Sequence, residues 1–318
     1  MATQPLQEIF PDLTILSIPL QNEFRGINYR EVAVFRGTEG WSEFSPFLEY
    51  DIAEAKIWLD AALEAANNPW PELYRNKIAI NATVPIVAPT EVKTILKGYS
   101  GCKTVKIKVD DFENGALVVE ATLDHIPDAK IRLDVNGGWD QSTAISNLLE
   151  YHLRFGSIFE YVEQPCQLTS ELSVVKAESP IPIAIDESIR KNLSSDLSQL
   201  SEVADVAILK WQPVGGFTSA HKIAELIGLP VVISSALETG IGISHGLALA
   251  ASFIDSGFAC GLGTVALLES DICNPAVLAE NGFLEVVRRE PAGLDKYRAS
   301  AERVHWWNDR IMKILEAK

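Results

Sequence analysis

Five short stretches decide the architecture: Thr104–Val109 (TVKIKV), Lys130–Asn136 (KIRLDVN), Phe159–Gln164 (FEYVEQ), Pro182–Glu187 (PIAIDE) and Val206–Trp211 (VAILKW). Each is a mainly apolar run that closes on a charge: Lys108, Asp134, Glu163, Asp186 and Lys210. Strands buried on both faces of a parallel sheet have this continuous apolar character. The charges succeed one another at steps of 26, 29, 23 and 24 residues (108 to 134 to 163 to 186 to 210), each about one strand–helix unit.

Outward from this stretch the rhythm continues. Ile78–Thr83, Val231–Ser234 and Ala259–Leu262 read as further strands, with helices expected at Thr90–Lys97, Gln141–Leu153, Phe217–Ile227 and Ile243–Ile254. Eight such strands suit a closed barrel better than an open sheet, and equivalent strand ends then form one ring at its C-terminal mouth. The five charges are therefore expected to converge on one pocket.

Three carboxylates crowded together repel and raise one another's pKa, and a hard divalent cation relieves that repulsion. Oxygen ligands without His or Cys favour Mg²⁺, or Mn²⁺, over Zn²⁺. Asp134, Glu163 and Asp186 are the expected ligands. A lysine beside a cation and a second ammonium loses part of its preference for the charged form, so it can serve as a base. Lys108, nearest the mouth, is assigned as that base. Lys106, two residues earlier on the same face, tunes or orients it, and Lys210 stands across the barrel. A lysine facing a metal fits removal of a proton α to a carboxylate, with the growing enediolate charge stabilised. That step can lead to racemisation, cycloisomerisation or β-elimination of water.

The flanks differ. Leu13–Ile18, Glu31–Phe35 and Trp41–Pro46 read as an antiparallel meander, with Pro19–Asn28 expected as a mobile loop. Asp51–Ala66 has helical spacing and stops at Asn67-Asn68-Pro69. After about Asp271 the βα rhythm ends. Phe283–Val287 reads as a strand and Tyr297–Leu315 as a helix, expected to return to the N-terminal segment. The expected organisation is a modified TIM barrel, (β/α)7β, over 76–270, with an α+β capping domain from 1–75 and 271–318.

Composition narrows the function. The 318 residues are 47% hydrophobic and 22% charged, as in ordinary folded proteins. A net charge of −16 gives no basic face for a nucleic acid or an anionic membrane. The apolar stretch Leu226–Ile254 is interrupted by Pro230, Glu238 and His245, so it does not read as a membrane span. Met1–Glu8 has no basic start and no apolar run, and Cys102, Cys166, Cys260 and Cys273 form no CxxC pair. A cytoplasmic protein with reduced thiols is expected, with no protein partner indicated. His245 reads as a helix residue rather than a base, Trp139 and Trp211 as packing residues, and Gly215-Gly216 as a tight turn.

KIK, DVNGGW, EYVEQP, AIDES and LKW, in this order, resemble the enolase superfamily in its muconate-lactonising-enzyme subgroup. Sites of that superfamily pair a lysine or histidine base with Mg²⁺. INATVP (Ile80–Pro85), VEQPC (Val162–Cys166), DESIR (Asp186–Arg190) and SSALETGIG (Ser234–Gly242) are similar to its o-succinylbenzoate synthase family. That resemblance implies a small-molecule carboxylate substrate, 2-succinyl-6-hydroxy-2,4-cyclohexadiene-1-carboxylate, and a place in menaquinone biosynthesis. Lys108 would take the α-proton and return it to the departing hydroxyl, a syn elimination, while Lys210 steadies the enediolate. The succinyl tail would lie against Ser235, Gly240, Ile241, Gly242 and the 19–28 loop, where Arg25 is a candidate contact beside Phe24 and Phe47. Asn136 and Glu187 would support the metal ligands, with Arg132 a further candidate. An N-acylamino-acid racemase or dipeptide epimerase of the same subgroup is the alternative enzyme, and a barrel without catalysis the alternative outside enzymes.

Overall fold

A computed structural model describes residues 6–254 and 257–317. Met1–Pro5, part of the segment read as lacking a targeting signal, lies outside them. After a short helix α1 (Leu6–Ile9), three strands form an antiparallel meander: β1 (Thr14–Phe24), β2 (Ile27–Arg36) and β3 (Trp41–Phe44). Residues 19–28 are not a loop. β1 and β2 run on to a two-residue turn at Arg25-Gly26, both at positive φ (54° and 75°), with Phe24 paired to Ile27. Such a turn matches the twist of a hairpin. The polar Gln21-Asn22-Glu23 sits near the hairpin tip, and the register shifts between Pro19 and Phe24.

The helix α2 (Ile52–Asn67) follows, its first turn capped by Asp51, which accepts from the Glu54 amide at 2.8 Å. Then come β4 (Lys77–Ala79) and seven parallel strands: β5 (Ala82–Val84), β6 (Thr104–Lys108), β7 (Lys130–Asp134), β8 (Phe159–Glu163), β9 (Ile183–Ile185), β10 (Val206–Leu209) and β11 (Val231–Ile233). Single parallel bridges, Ser234 with Gly261 and Ile80 with Cys260, join the two ends of this sheet through the segment after the last barrel helix. The intervening helices are α3 (Val92–Leu96), α4 (Phe112–His125), α5 (Gln141–Phe155), α6 (Thr169–Glu178), α7 (Glu187–Arg190), α8 (Leu200–Val203), α9 (Phe217–Ile227) and α10 (Gly240–Ala251). This is the expected barrel, made of strands with no exposed face. Among the described residues no helix is long and apolar enough to cross a membrane.

Two cores result. The barrel core includes Ile107, Leu133, Val162, Ile185 and Leu209, all fully buried. The second joins Phe10, Phe35, Phe44 and Trp58 to Trp307, Ile311 and Ile314 of the last helix, α11 (Ala301–Glu316). Trp307 meets Phe44 edge-on at 5.8 Å and donates its indole N–H to Glu31 at 2.7 Å. The C-terminal helix thus does return to the N-terminal meander. The strand before it does not: β12 (Phe283–Glu285) pairs with β4 beside the barrel. No disulfide joins the four buried cysteines.

Candidate active site

The parallel register places the charged strand ends side by side. Lys108 pairs with Asp134, and Asp134 with Glu163, across β6, β7 and β8. Asp186 follows β9 and opens α7, while Lys210 follows β10. Lys106 Nζ lies 2.9 Å from Asp134 and 3.0 Å from Glu163. Lys108 Nζ lies 2.9 Å from the same Asp134 Oδ2. Lys210 Nζ lies 2.5 Å from Asp186 Oδ2. All six side chains are buried or nearly so.

Burial and these contacts divide the lysines. Burial lowers Lys108 below the usual lysine range, aided by the Lys106 charge and outweighing the pull of Asp134. Burial also opposes charge on Lys106 and Lys210, but there the carboxylates win. Asp134 and Glu163 hold Lys106 well above its ordinary value, and Asp186 and Glu163 raise Lys210. Among the acids, burial is overcome at Asp134 by Lys106 and Lys108 and at Asp186 by Lys210 and Arg190, so both stay below the usual carboxylate range. Glu163, wholly buried beside Asp134, is pushed up to about 7.

Among the described residues no group of three acidic, His or Cys side chains is drawn together as a ready cation cage, because each of these carboxylates is turned onto an ammonium. The donor chemistry nevertheless fits a hard cation. Three acidic side chains share the site, and Asp134 Oδ1 is buried without a hydrogen-bond partner. Lysine charge occupies the positions where cation charge is expected.

Around these groups, Asn136, at φ 52°, accepts from Lys108 Nζ at 2.5 Å and donates to Glu187 Oε1 at 3.3 Å. Arg190 donates to the same Glu187 oxygen at 3.0 Å and lies 3.6 Å from Asp186. Gln164 accepts from the Asp186 and Ser188 amides at 3.2 and 3.1 Å, fixing the start of α7. Asn136 and Glu187 thus lie in one chain of contacts running from Lys108, and Arg190, one helical turn beyond Asp186, joins them. The D-x-x-x-R spacing within DESIR is the signal that could have found it. Arg132 belongs elsewhere: it binds Glu160, Asn81 and the Ala259 carbonyl.

The pocket above the amines is lined by Phe24, Arg25, Phe47, Ser235, Leu237 and Thr264 among others. Ser235 shares a 2.7 Å hydrogen bond with Thr264, a residue the sequence did not single out. Gly240, Ile241 and Gly242 do not reach this pocket. They are buried, and their helix start is already satisfied from within the protein. Glu43 of β3 accepts from the Gly242 amide at 3.2 Å and the Thr239 amide at 3.1 Å, and Asp271 accepts from the Gly240 amide at 2.8 Å. No N–H remains there for a substrate carboxylate. His245 is likewise structural. Its Nδ1 accepts from Trp70 at 3.0 Å, its Nε2 faces the Trp41 carbonyl at 3.1 Å, and burial lowers it to about 3.

Known proteins resemble this chain in sequence and in fold. A family described as "Enolase C-terminal domain-like" matches residues 91–294, and one described as "Enolase N-terminal domain-like" matches residues 15–66. An o-succinylbenzoate synthase of Thermobifida fusca is 44% identical over 277 residues, 86% of either chain. One of Mycobacterium leprae is 40% identical over 96% of this chain and 92% of its own. The chain belongs to the o-succinylbenzoate synthase family of the enolase superfamily. Solved enolase-superfamily structures share the fold at lower identity. The L-Ala-D/L-Glu epimerase of Bacillus subtilis has a TM-score of 0.74 at 22% identity, covering 88% of this chain and 96% of its own. The N-succinyl Arg/Lys racemase of Bacillus cereus has 0.72 at 19%, covering 91% and 97%.

Proposed function

We propose that this protein is an o-succinylbenzoate synthase, a hydro-lyase that dehydrates 2-succinyl-6-hydroxy-2,4-cyclohexadiene-1-carboxylate to 2-succinylbenzoate in menaquinone biosynthesis. The observation that carries the reading is the placement of two pocket amines at separate strand ends, Lys108 on Asp134 at 2.9 Å and Lys210 on Asp186 at 2.5 Å. Burial draws Lys108 toward the neutral form, whereas Asp186 keeps Lys210 an ammonium. Curated relatives of that name at 39–44% identity support it.

Lys108, acting in its unprotonated form, takes the α-proton, and the C–H electron pair moves into the carboxylate as an enediolate. The same Lys108, now an ammonium, returns the proton to the β-hydroxyl as the C–O bond breaks, so water leaves and the ring becomes aromatic. Asn136, 2.5 Å from Lys108, holds the amine in place between the two transfers. Lys210 faces the enediolate as a fixed positive charge, worth most in a site that excludes water. Lys106 keeps Glu163 and Asp134 paired beneath the base. Asp134, Glu163 and Asp186 would hold Mg²⁺ or Mn²⁺, and a bound ion supplies Lewis-acid stabilisation of carboxylate oxygens. Arg25 and Ser235 are left to receive the succinyl end.

Mixing the protein with the cyclohexadiene carboxylate tests this. Loss of the diene absorbance with Mg²⁺, abolished by chelator and in Lys108→Ala, is expected, and persistence of the diene with wild type would end the reading. The two lysines also suit a second reading, racemisation of an N-acylamino acid. In D₂O, fast α-exchange of N-succinyl amino acids with weak dehydration would favour it.

A further inference from the structure

Arg25 and Arg30 leave the β1–β2 hairpin five residues apart and meet on one ring. Each guanidinium carbon lies 4.3 Å from the centroid of Phe47. The ring is 3% exposed and is gripped edge-on by Tyr50 at 5.6 Å and Trp58 at 6.2 Å. The two arginines differ in freedom. Arg30 is buried and tied to the barrel wall, donating to the carbonyls of Leu237 and Ala236 at 3.1 Å each and to that of Ser45. Arg25 is exposed at the turn, and its hydrogen bond is a 3.5 Å contact with the Tyr50 hydroxyl. Among the described residues Arg25 has no carboxylate within ion-pair distance, and the acids of the pocket it lines, Asp134 and Glu187, are taken up by Lys106, Lys108 and Arg190. Arg30, whose own charge Arg25 disfavours across the same ring, repels it, and that repulsion would turn an unanchored guanidinium out to solvent. The Phe47 face supplies the opposing attraction, since an aromatic ring holds a cation over its negative face.

We propose that Phe47 is a positioning and specificity-determining residue. It carries the position of the barrel wall, through Arg30, to Arg25, and so holds an otherwise unpaired guanidinium where a substrate's second carboxylate arrives. The inference rests on the dehydratase reading, which supplies that carboxylate. It assigns the choice between a dicarboxylate and a monocarboxylate to an apolar residue that bears no group able to bind either.

The test is calorimetry in Mg²⁺ with two ligands, 2-succinylbenzoate and 2-butanoylbenzoate, the second lacking the distal carboxylate. Phe47→Leu should weaken 2-succinylbenzoate about fivefold to tenfold, a change of the size expected for a partly buried cation–π contact, and leave 2-butanoylbenzoate unchanged. KM should rise with kcat held, and Phe47→Tyr should restore wild-type behaviour. In an Arg25→Gln background, Phe47→Leu should add nothing. Equal weakening of both ligands, no weakening, or an undiminished effect without Arg25 would overturn the inference. If Phe47→Leu does not fold, stepwise fluorination of the Phe47 ring weakens its face at near-constant size, and a graded loss of 2-succinylbenzoate affinity alone is expected. Wild type that fails to dehydrate the cyclohexadiene defeats the functional reading itself. Wild type that does so, with a Phe47→Leu variant that weakens both ligands alike, defeats this inference alone.

Discussion

Glu43 reaches from the last strand of the meander to Thr239, accepting its hydroxyl at 2.5 Å and its amide at 3.1 Å. A side chain of the N-terminal unit thus caps a barrel helix. The same carboxylate is fully buried near Glu238, and burial first, then Glu238, pushes it up to about 7. A carboxyl whose folded pKa exceeds its unfolded value of 4.5 binds more protons when folded, so its contribution to stability is greatest at low pH and declines as pH rises from about 4.5 to 7. The span corresponds to roughly 3 kcal/mol at most. In Glu43→Gln this decline should disappear. The melting temperature of wild type relative to Glu43→Gln should fall across that window and level off above it. A difference that stays constant with pH would show that Glu43 is already ionised.

The three lysines should separate by what each loss leaves behind. Lys108→Ala leaves Asp134 paired with Lys106, so the protein should fold with dehydration reduced by about 10²–10⁴-fold, the usual worth of a positioned acid–base group. Lys106→Met removes the ammonium within 3.2 Å of both Glu163 oxygens. It should destabilise by roughly 3–5 kcal/mol, as expected when one partner of a buried ion pair is removed. Denaturant titration and single-turnover kinetics on both variants would reveal the split, and a stable Lys106→Met would contradict it.

Cation uptake should depend on the acids at the strand ends. Isothermal titration of the metal-free protein should show Mg²⁺ binding that is abolished in Asp134→Asn and in Asp186→Asn. Uptake undiminished in both variants would place the cation elsewhere.

Gly242 should resist any side chain. A Cβ there would stand 2.6 Å from Glu238 Cβ and 3.0 Å from Glu43 Oε2, in a site closed on both sides. Gly242→Ala should lower the melting temperature by several degrees, an effect of about 1–3 kcal/mol for overpacking. Gly228→Ala provides the contrast: nothing lies within 4 Å of its Cβ position, and only its left-handed backbone (φ 70°) opposes the change.

The barrel and its ring of charges were legible because both are local. A buried parallel strand is apolar at every position, and a charge at its end is visible in five residues. The hairpin tip was not legible, since Gln21-Asn22-Glu23 lacks the period-two alternation that a buried face imposes. The start of α10 misled for a different reason. SSALETGIG has the look of an open helix terminus, and the groups that fill it, Glu43 and Asp271, lie 196 and 31 residues away in the chain. Likewise β12 finds β4 rather than the meander, a pairing set by where the barrel brings Lys77–Ala79. Non-local partners of polar groups leave no periodic trace.

Trp307 and Ile311 complete a core whose other half, Phe35, Phe44 and Trp58, is translated first. At ordinary ribosomal speeds the interval between them is on the order of tens of seconds. During synthesis the barrel segments emerge while the early aromatic side chains still lack their final covering. The meander that carries Arg30 and Glu43 is then finished last, so a chain that stops short of α11 should engage chaperones before it engages substrate.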